Sequence, residues 1–179
     1  MAALELGRRF VSLAPQERAV INSPQDVANL LLAEMSVLDQ EHLRILLLNT
    51  RNEVLGIQEI YVGNVNSSVV RAAEVFRPAV QADAPSIIVV HNHPPGDPAP
   101  SSQDVDITNE LISAGKLLGI ELLDHVVLGR GNRFVSMNER RFAFTQTLPA
   151  LRYLPSNIQS HSHPRRPIGS GLRPNDGIW

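Results

Sequence analysis

A chain of 179 residues with 43% hydrophobic and 19% charged residues is long enough for one domain with a real core, and its composition is that of an ordinary globular protein. The absence of cysteine excludes a disulfide framework, a thiol nucleophile and a thiolate zinc site. With no apolar run of about eighteen residues and no signal-peptide core, no membrane span is expected and cytoplasm is the expected compartment. The net charge of −2 is uneven: residues 1–140 hold eleven Lys/Arg against seventeen Asp/Glu, a formal −6, while residues 141–179 hold five Arg and one acid. That balance offers no electrostatic footprint for a phosphate backbone in the folded part, so nucleic acid is not expected as its main ligand, although a local basic patch stays open.

Residues 1–22 place Leu4 and Phe10 at helical spacing around Gly7-Arg8-Arg9 and read as a remnant or linker, the end of something larger. Ser23-Pro24-Gln25-Asp26 is a helix start, with a capping Ser, a Pro at the first helical position and an acid three residues after the cap. Val27, Leu30, Leu31 and Glu34-Met35 continue that helix to about residue 35. Two apolar runs, Leu43–Leu48 and Val54–Val62, flank the polar Asn49-Thr50-Arg51-Asn52 and form a hairpin in the simplest account. The first run is apolar on both faces from Ile45 onward and is expected at the centre of its sheet.

Asn66-Ser67-Ser68 offers caps for a helix over roughly 69–82, with Val69, Ala72/Ala73, Phe76 and Val80 on one face. Pro78 inside it costs on the order of 3 kcal/mol in a regular helix, so a kink or an early end is expected. Ile87–Val90 is the third strand. Ser101 to Gly119 is the strongest helical pattern, capped by Ser101 with Asp104 three residues on, closed by Gly119, and burying Val105, Thr108, Leu111, Ile112 and Leu118. Glu121–Leu128 is another strand, turned by Gly129–Arg133 into Phe134-Val135-Ser136, with a short helix expected near 138–143. Residues 143–179 read as a Pro-rich disordered tail, with five prolines after residue 146 and no sustained periodicity. The order strand, strand, helix, strand, helix, strand, strand over 23–142 makes an α/β (α+β) single domain with a mixed β-sheet flanked by helices.

Chemistry concentrates in Ile87–Asp104, IIVVHNHPPGDPAPSSQD. In an extended chain residues two apart face the same side, so His91 and His93 can meet one ion while Asn92 points away. Four prolines between Pro94 and Pro100 stiffen the loop that follows. It leads to Asp104 in the first turn of a helix, where the positive end favours the carboxylate by about 1 kcal/mol or less. Two imidazoles, one carboxylate and an open fourth position are the pattern of a catalytic zinc centre. A base must then move the proton of an attacking water. Glu41, at the mouth of the first central strand, is the first choice and Glu59 the alternative, while the Ser101 hydroxyl can serve as oxyanion donor.

His91-Asn92-His93, seven residues, Ser101, two residues and Asp104 fit the JAMM motif, Glu…His-x-His-x7-Ser-x2-Asp. The wording HNHPPGDPAPS, with AGKLLGIELLDH at 114–125, NSSVV and the closing FVS, resembles the RadC-like JAB (MPN+) family over roughly 23–142. The resemblance implies a JAB/MPN-type fold and a Zn2+-dependent metallohydrolase of the peptidase or isopeptidase kind, acting on a peptide or protein substrate. It implies His91, His93 and Asp104 as zinc ligands, Ser101 as stabiliser of the tetrahedral intermediate, and Glu41, in QEHLRILLL, as the glutamate. RadC-like chains usually begin with a helical, helix-hairpin-helix-like domain, of which ALELGRR resembles the tail, so DNA contacts belonging to that domain do not carry over. Where members often show His-Pro-Arg-Glu, this chain has Arg71-Ala72-Ala73-Glu74.

Competing readings have their own marks. A DNA-repair accessory or binding module with a structural metal is the alternative from another class, and a decayed paralogue is a third. His125, after Asp124 in a strand, reads as a satisfied core histidine rather than a second ligand set. His161-Ser162-His163-Pro164 copies the His-x-His-Pro text, but the same offsets from His163 land on Gly171 and Pro174 and no apolar strand precedes it. The letters HNH do not make an HNH nuclease, whose three named residues are spread along a ββα unit. No phosphate-cradling glycine loop is present.

Overall fold

The computed structural model describes residues 18–63 and 70–144. The expected caps at Asn66-Ser67-Ser68, residues 1–17 and the tail from residue 145, with His161 and His163, lie outside the described residues. Eight elements follow one another: α1 (Pro24–Met35), β1 (His42–Leu48), β2 (Val54–Val62), α2 (Ala72–Gln81), β3 (Ser86–Asn92), α3 (Ser102–Leu118), β4 (Glu121–Leu128) and β5 (Phe134–Ser136). The strands form one mixed sheet in the order β2-β1-β3-β4-β5, making an α+β domain.

β1 and β2 are the expected antiparallel hairpin, and β1 is interior, with β3 antiparallel on its other side. The turn is built by Asn49, whose side-chain oxygen accepts from the Arg51 and Glu53 amides, and by Asn52 at φ 58°. β3 and β4 are parallel and joined through α3, whereas β5 returns antiparallel to β4. All seven residues of β3 are buried, because helices cover both faces of the sheet. On one face α1 packs Val27, Leu31 and Met35 on Leu46, Leu48, Ile88, Val90, Val126 and Leu128. On the other, α2 and α3 pack Phe76, Ile107 and Leu111 on Leu43, Ile45, Leu47, Ile87, Val89 and Leu122. His91 continues the alternation of Ile87 and Val89, so it emerges on the α2/α3 face.

Several boundaries and helix phases differ from expectation. In α1, Leu32 is buried and Leu30 is exposed. α2 starts at Ala72, its N-cap Arg71 makes no side-chain cap bond, and it runs past Pro78 to Gln81, so the proline does not end it. Its buried residues are Val75, Phe76 and Ala79, whereas Val80 is 55% exposed. Phe76 is the anchor in either reading and Ala72 packs against the same core, whereas Val75 and Ala79 take the inward places beside it and Val80 does not.

α3 has the expected capping box at Ser101 and the expected Gly119 at its end, at φ 69°. Its inner stripe is Asp104, Ile107, Thr108, Leu111 and Gly115, and Leu118 is 51% exposed. A purely apolar pattern misses this phase because a carboxylate and a glycine occupy two of the inward positions. No helix forms at 138–143: residues 137–141 make one turn, which Arg141 breaks by adopting φ 56°.

Candidate metal centre

β3 delivers His91 as its penultimate residue, and His93 follows just past the strand end, tied by its backbone amide to Leu128 O of β4 at 2.8 Å. The stiff loop then returns to α3. The β4–β5 turn pins that loop, with Arg130 N and Arg133 Nη2 donating to Gly96 O at 3.1 and 2.6 Å. The packing is close enough that a Cβ on Gly129 would sit 2.6 Å from Gly96 O. The loop thereby sets Asp104 against the two histidines.

His91, His93 and Asp104 each offer one ligand atom, all within 4.8 Å of one another, and can hold a metal ion. His91 Nε2 is 3.0 Å from His93 Nε2 and 3.2 Å from Asp104 Oδ1, and His93 Nε2 is 3.6 Å from Asp104 Oδ2. Ligand atoms around a tetrahedral zinc with bonds of about 2.0–2.1 Å lie about 3.3–3.4 Å apart. The 3.0 and 3.2 Å separations from His91 Nε2 fall a little inside that edge, while His93 meets the other Asp104 oxygen. The donor set also fits. His93 Nδ1 faces the Asp97 carbonyl at 2.8 Å and must donate to it, which in the neutral ring leaves the Nε2 lone pair inward. Asp104 Oδ2 accepts from the Ser101 amide and hydroxyl at 2.6 and 2.7 Å, while Oδ1 faces His91.

The electrostatics match. Burial alone would raise the Asp104 carboxyl, but in the metal-free chain hydrogen bonds from protonated His91 and His93, the His91 charge and the Ser101 bond together hold it far below the usual carboxylate range. The carboxylate is thus ready for a cation that displaces those protons. Its hydrogen bond to His93 raises that imidazole against the pull of burial, helped by the Asp97 carbonyl and by the charges of Asp104 and Glu41.

Glu41 precedes β1 and is partly buried. Leu43, two residues on, pairs with His91 across the sheet, so alternation puts Glu41 on the histidine side, where its charge acts on His93. Glu59 goes elsewhere. It binds His42 Nδ1 at 2.7 Å and Arg44 Nε at 3.2 Å, and Arg44 in turn binds Glu34 of α1, which places Glu59 on the other face of the sheet. The His42 bond first, then the Arg44 bond and the His42 and Arg44 charges, lower the Glu59 carboxyl against the opposing effect of desolvation. Ser101 is exposed beside Asp104, with its hydroxyl proton given to that carboxylate.

Asn92 and His125, the latter backed by Thr108, border the site. Asn92 points away from the histidines as expected, and its side chain clamps the Glu41 segment, accepting from His42 N at 2.7 Å and donating to Gln40 O at 2.9 Å. His125 is fully buried, with Nε2 2.8 Å from His91 Nδ1 and Nδ1 2.6 Å from Thr108 Oγ1. Burial first, then the neighbouring His91 charge, pushes it well below an ordinary imidazole. It is a satisfied core histidine that also touches the candidate ligand set. The sequence signal for it was the Asp-His pair at the centre of an apolar strand.

Comparison with known proteins gives a consistent picture. Residues 21–142 match the family described as RadC-like JAB domain. A UPF0758 protein of Chloroflexus aurantiacus is 55% identical over 143 residues, covering 80% of this chain and 62% of that protein. One of Desulfitobacterium hafniense is 55% identical over 139 residues, and one of Bacillus licheniformis 49% identical over 142, covering 61% and 63% of their lengths. The chain thus spans about three-fifths of the length of the curated relatives it matches.

Proposed function

The chain belongs to the RadC-like JAB domain family, and from that premise we propose that it is a zinc-dependent hydrolase of the JAMM type that cleaves amide bonds in a peptide or protein. The observation that carries this reading is the convergence of His91, His93 and Asp104, with one ligand atom from each all within 4.8 Å of one another, beside the segment that bears Glu41. A zinc ion held by His91, His93 and Asp104 would supply Lewis acidity and would make an attacking water acidic enough to act near neutral pH. Glu41 accepts that water's proton and hands it to the leaving amine nitrogen. Ser101 steadies the negative charge on the carbonyl oxygen, turning its hydroxyl proton from Asp104 Oδ2 toward the substrate. Asp104 then still keeps the Ser101 amide. His93 Nδ1, held by the Asp97 carbonyl, and Asn92, clamping residues 40–42, keep ligand and base in register.

We place this activity in the cytoplasm, a reading supported by the absence of cysteine. No helix among the described residues is long and apolar enough to cross a membrane.

The test is cleavage of a quenched-fluorescent peptide library by the zinc-loaded chain, beside Glu41→Gln and His93→Ala, with zinc content measured for each. Glu41→Gln is expected to keep zinc and lose about 10²–10⁴-fold in rate, the usual share of a general base. His93→Ala is expected to lose zinc and activity together. Full zinc in His93→Ala, or cleavage indifferent to Glu41→Gln, would remove the reading. Salt-dependent DNA binding unaffected by Glu41→Gln, with no peptide cleaved, would favour an accessory module instead.

A further inference from the structure

We propose that His125 and Thr108 form a positioning relay that fixes the tautomer and ring orientation of His91, so that its Nε2 lone pair faces the ion; this rests on the metal-site reading above. The order of protons follows from the far end of the chain of contacts. The Asp104 main-chain oxygen can only accept, and Thr108 Oγ1 lies 2.6 Å from it, a separation that needs the hydroxyl proton between them. With its one proton committed, Thr108 Oγ1 has only lone pairs for His125 Nδ1, also 2.6 Å away, so Nδ1 carries a hydrogen. Met137 Sδ, 3.6 Å from the same oxygen, is the weaker acceptor, and a proton turned toward it would leave the bond to His125 unchanged.

Among the described residues the ring nitrogens of His125 meet Thr108 and His91 and no carboxylate, in a site with no exposure, so the ring is neutral and its Nε2 accepts. It faces His91 Nδ1 at 2.8 Å, which makes that nitrogen the donor and leaves His91 Nε2 with its lone pair directed at Asp104 and His93. Metal-binding histidines are commonly held this way, through the nitrogen that does not touch the ion. The relay also ties the ligand elements together. Thr108 lies one helical turn beyond Asp104 on α3, and His125 lies on β4, parallel and adjacent to the strand of His91. A shift of α3 that moved the carboxylate would therefore also release the imidazole.

The experiment is zinc affinity of the full chain, by chelator competition, for wild type, His125→Leu, His125→Gln and Thr108→Val, with thermal melting to show folding. His125→Leu is expected to bind zinc 10- to 100-fold more weakly. His125→Gln, whose side-chain oxygen can accept from His91 Nδ1, is expected to recover part of that loss. Thr108→Val should weaken binding in the same direction by less. Folded His125→Leu binding zinc as tightly as wild type overturns the relay alone. A wild type that takes up no zinc, or His93→Ala that binds it as well as wild type, overturns the metal reading and the relay with it. Should His125→Leu not fold, long-range proton–nitrogen correlations on the zinc-loaded wild type decide. Hydrogen on Nδ1 of both His91 and His125 is expected, and hydrogen on His125 Nε2 overturns the relay.

Discussion

Asp104 divides its work between two oxygens, Oδ2 completing the capping box with Ser101 and Oδ1 turned toward His91. The two roles can be separated by substitution. Asp104→Asn keeps an oxygen for the Ser101 amide but no anion for a metal, so zinc affinity is expected to fall more than tenfold while α3 stays folded. Ser101→Ala removes the cap and leaves the carboxylate, which should cost about 1 kcal/mol of stability with zinc still bound. Titrating both variants with zinc and with urea checks the crossing, and stoichiometric tight zinc in Asp104→Asn would show that the carboxylate is not a ligand. Asn92 has a similar division. Strand alternation already turned it away from the histidines, but nothing local says that it clamps residues 40–42.

At the scale of elements, α3 is set by what its inner stripe must touch. Gly115 on that stripe lets the helix close on the chain that follows, since a Cβ there would lie 2.4 Å from Ile120 O and 3.2 Å from the Phe76 ring. Alanine in a helix is intrinsically better than glycine by about 1 kcal/mol. A backbone atom cannot step aside, however, so the steric term wins, and Gly115→Ala is expected to destabilise by about 1–3 kcal/mol in denaturant unfolding.

The β4–β5 pair is pinned by Asp124, which accepts from Ser136 Oγ at 2.6 Å and from the His125 and Asn138 amides at 2.7 and 3.0 Å. Burial outweighs those bonds and pushes its carboxyl up to about 6 from 3.8. The folded protein therefore holds this proton where the unfolded chain has lost it. The associated stability is full below about pH 4 and fades as pH rises through about 6, on the order of 2–3 kcal/mol. Asp124→Asn should flatten that part of the melting-temperature profile between pH 4 and 6. A wild-type and mutant difference that does not change over that range would contradict the buried-acid account.

For the whole molecule, the sheet order is what assembles the site. β1 lies between β2 and β3, so Glu41 and His91, fifty residues apart in sequence, come to the same end and the same face. A metal held by β3 and α3 links the strand to the helix that crosses to β4, so zinc should stabilise the fold by mass action. At a hundredfold excess over Kd the gain is about 2.7 kcal/mol, a rise in Tm on the order of 10 °C for a domain of this size. Calorimetry with zinc and with EDTA checks this. His93→Ala is expected to show no such rise, and an equal rise in that variant would mean that zinc acts elsewhere.

Much of this protein was written locally. The Ser23 and Ser101 capping boxes, the β1–β2 hairpin, the buried run of β3 and the His-x-His alternation depend on neighbours a few residues away, so they could be read directly. The phase of α3 could not, because Asp104 and Gly115 face inward for reasons of charge and close approach that hydrophobic periodicity does not weigh. The faces that Glu41 and Glu59 take likewise waited for the sheet register: Glu59 meets Arg44 on the far face, and the Glu41 charge acts on His93. His125 looked like core packing, and only the parallel placement of β4 beside β3 brought it against His91. Contacts made across strands depend on register and helix phase, which the whole packed chain decides, while caps, turns and alternation are decided by the few residues that make them.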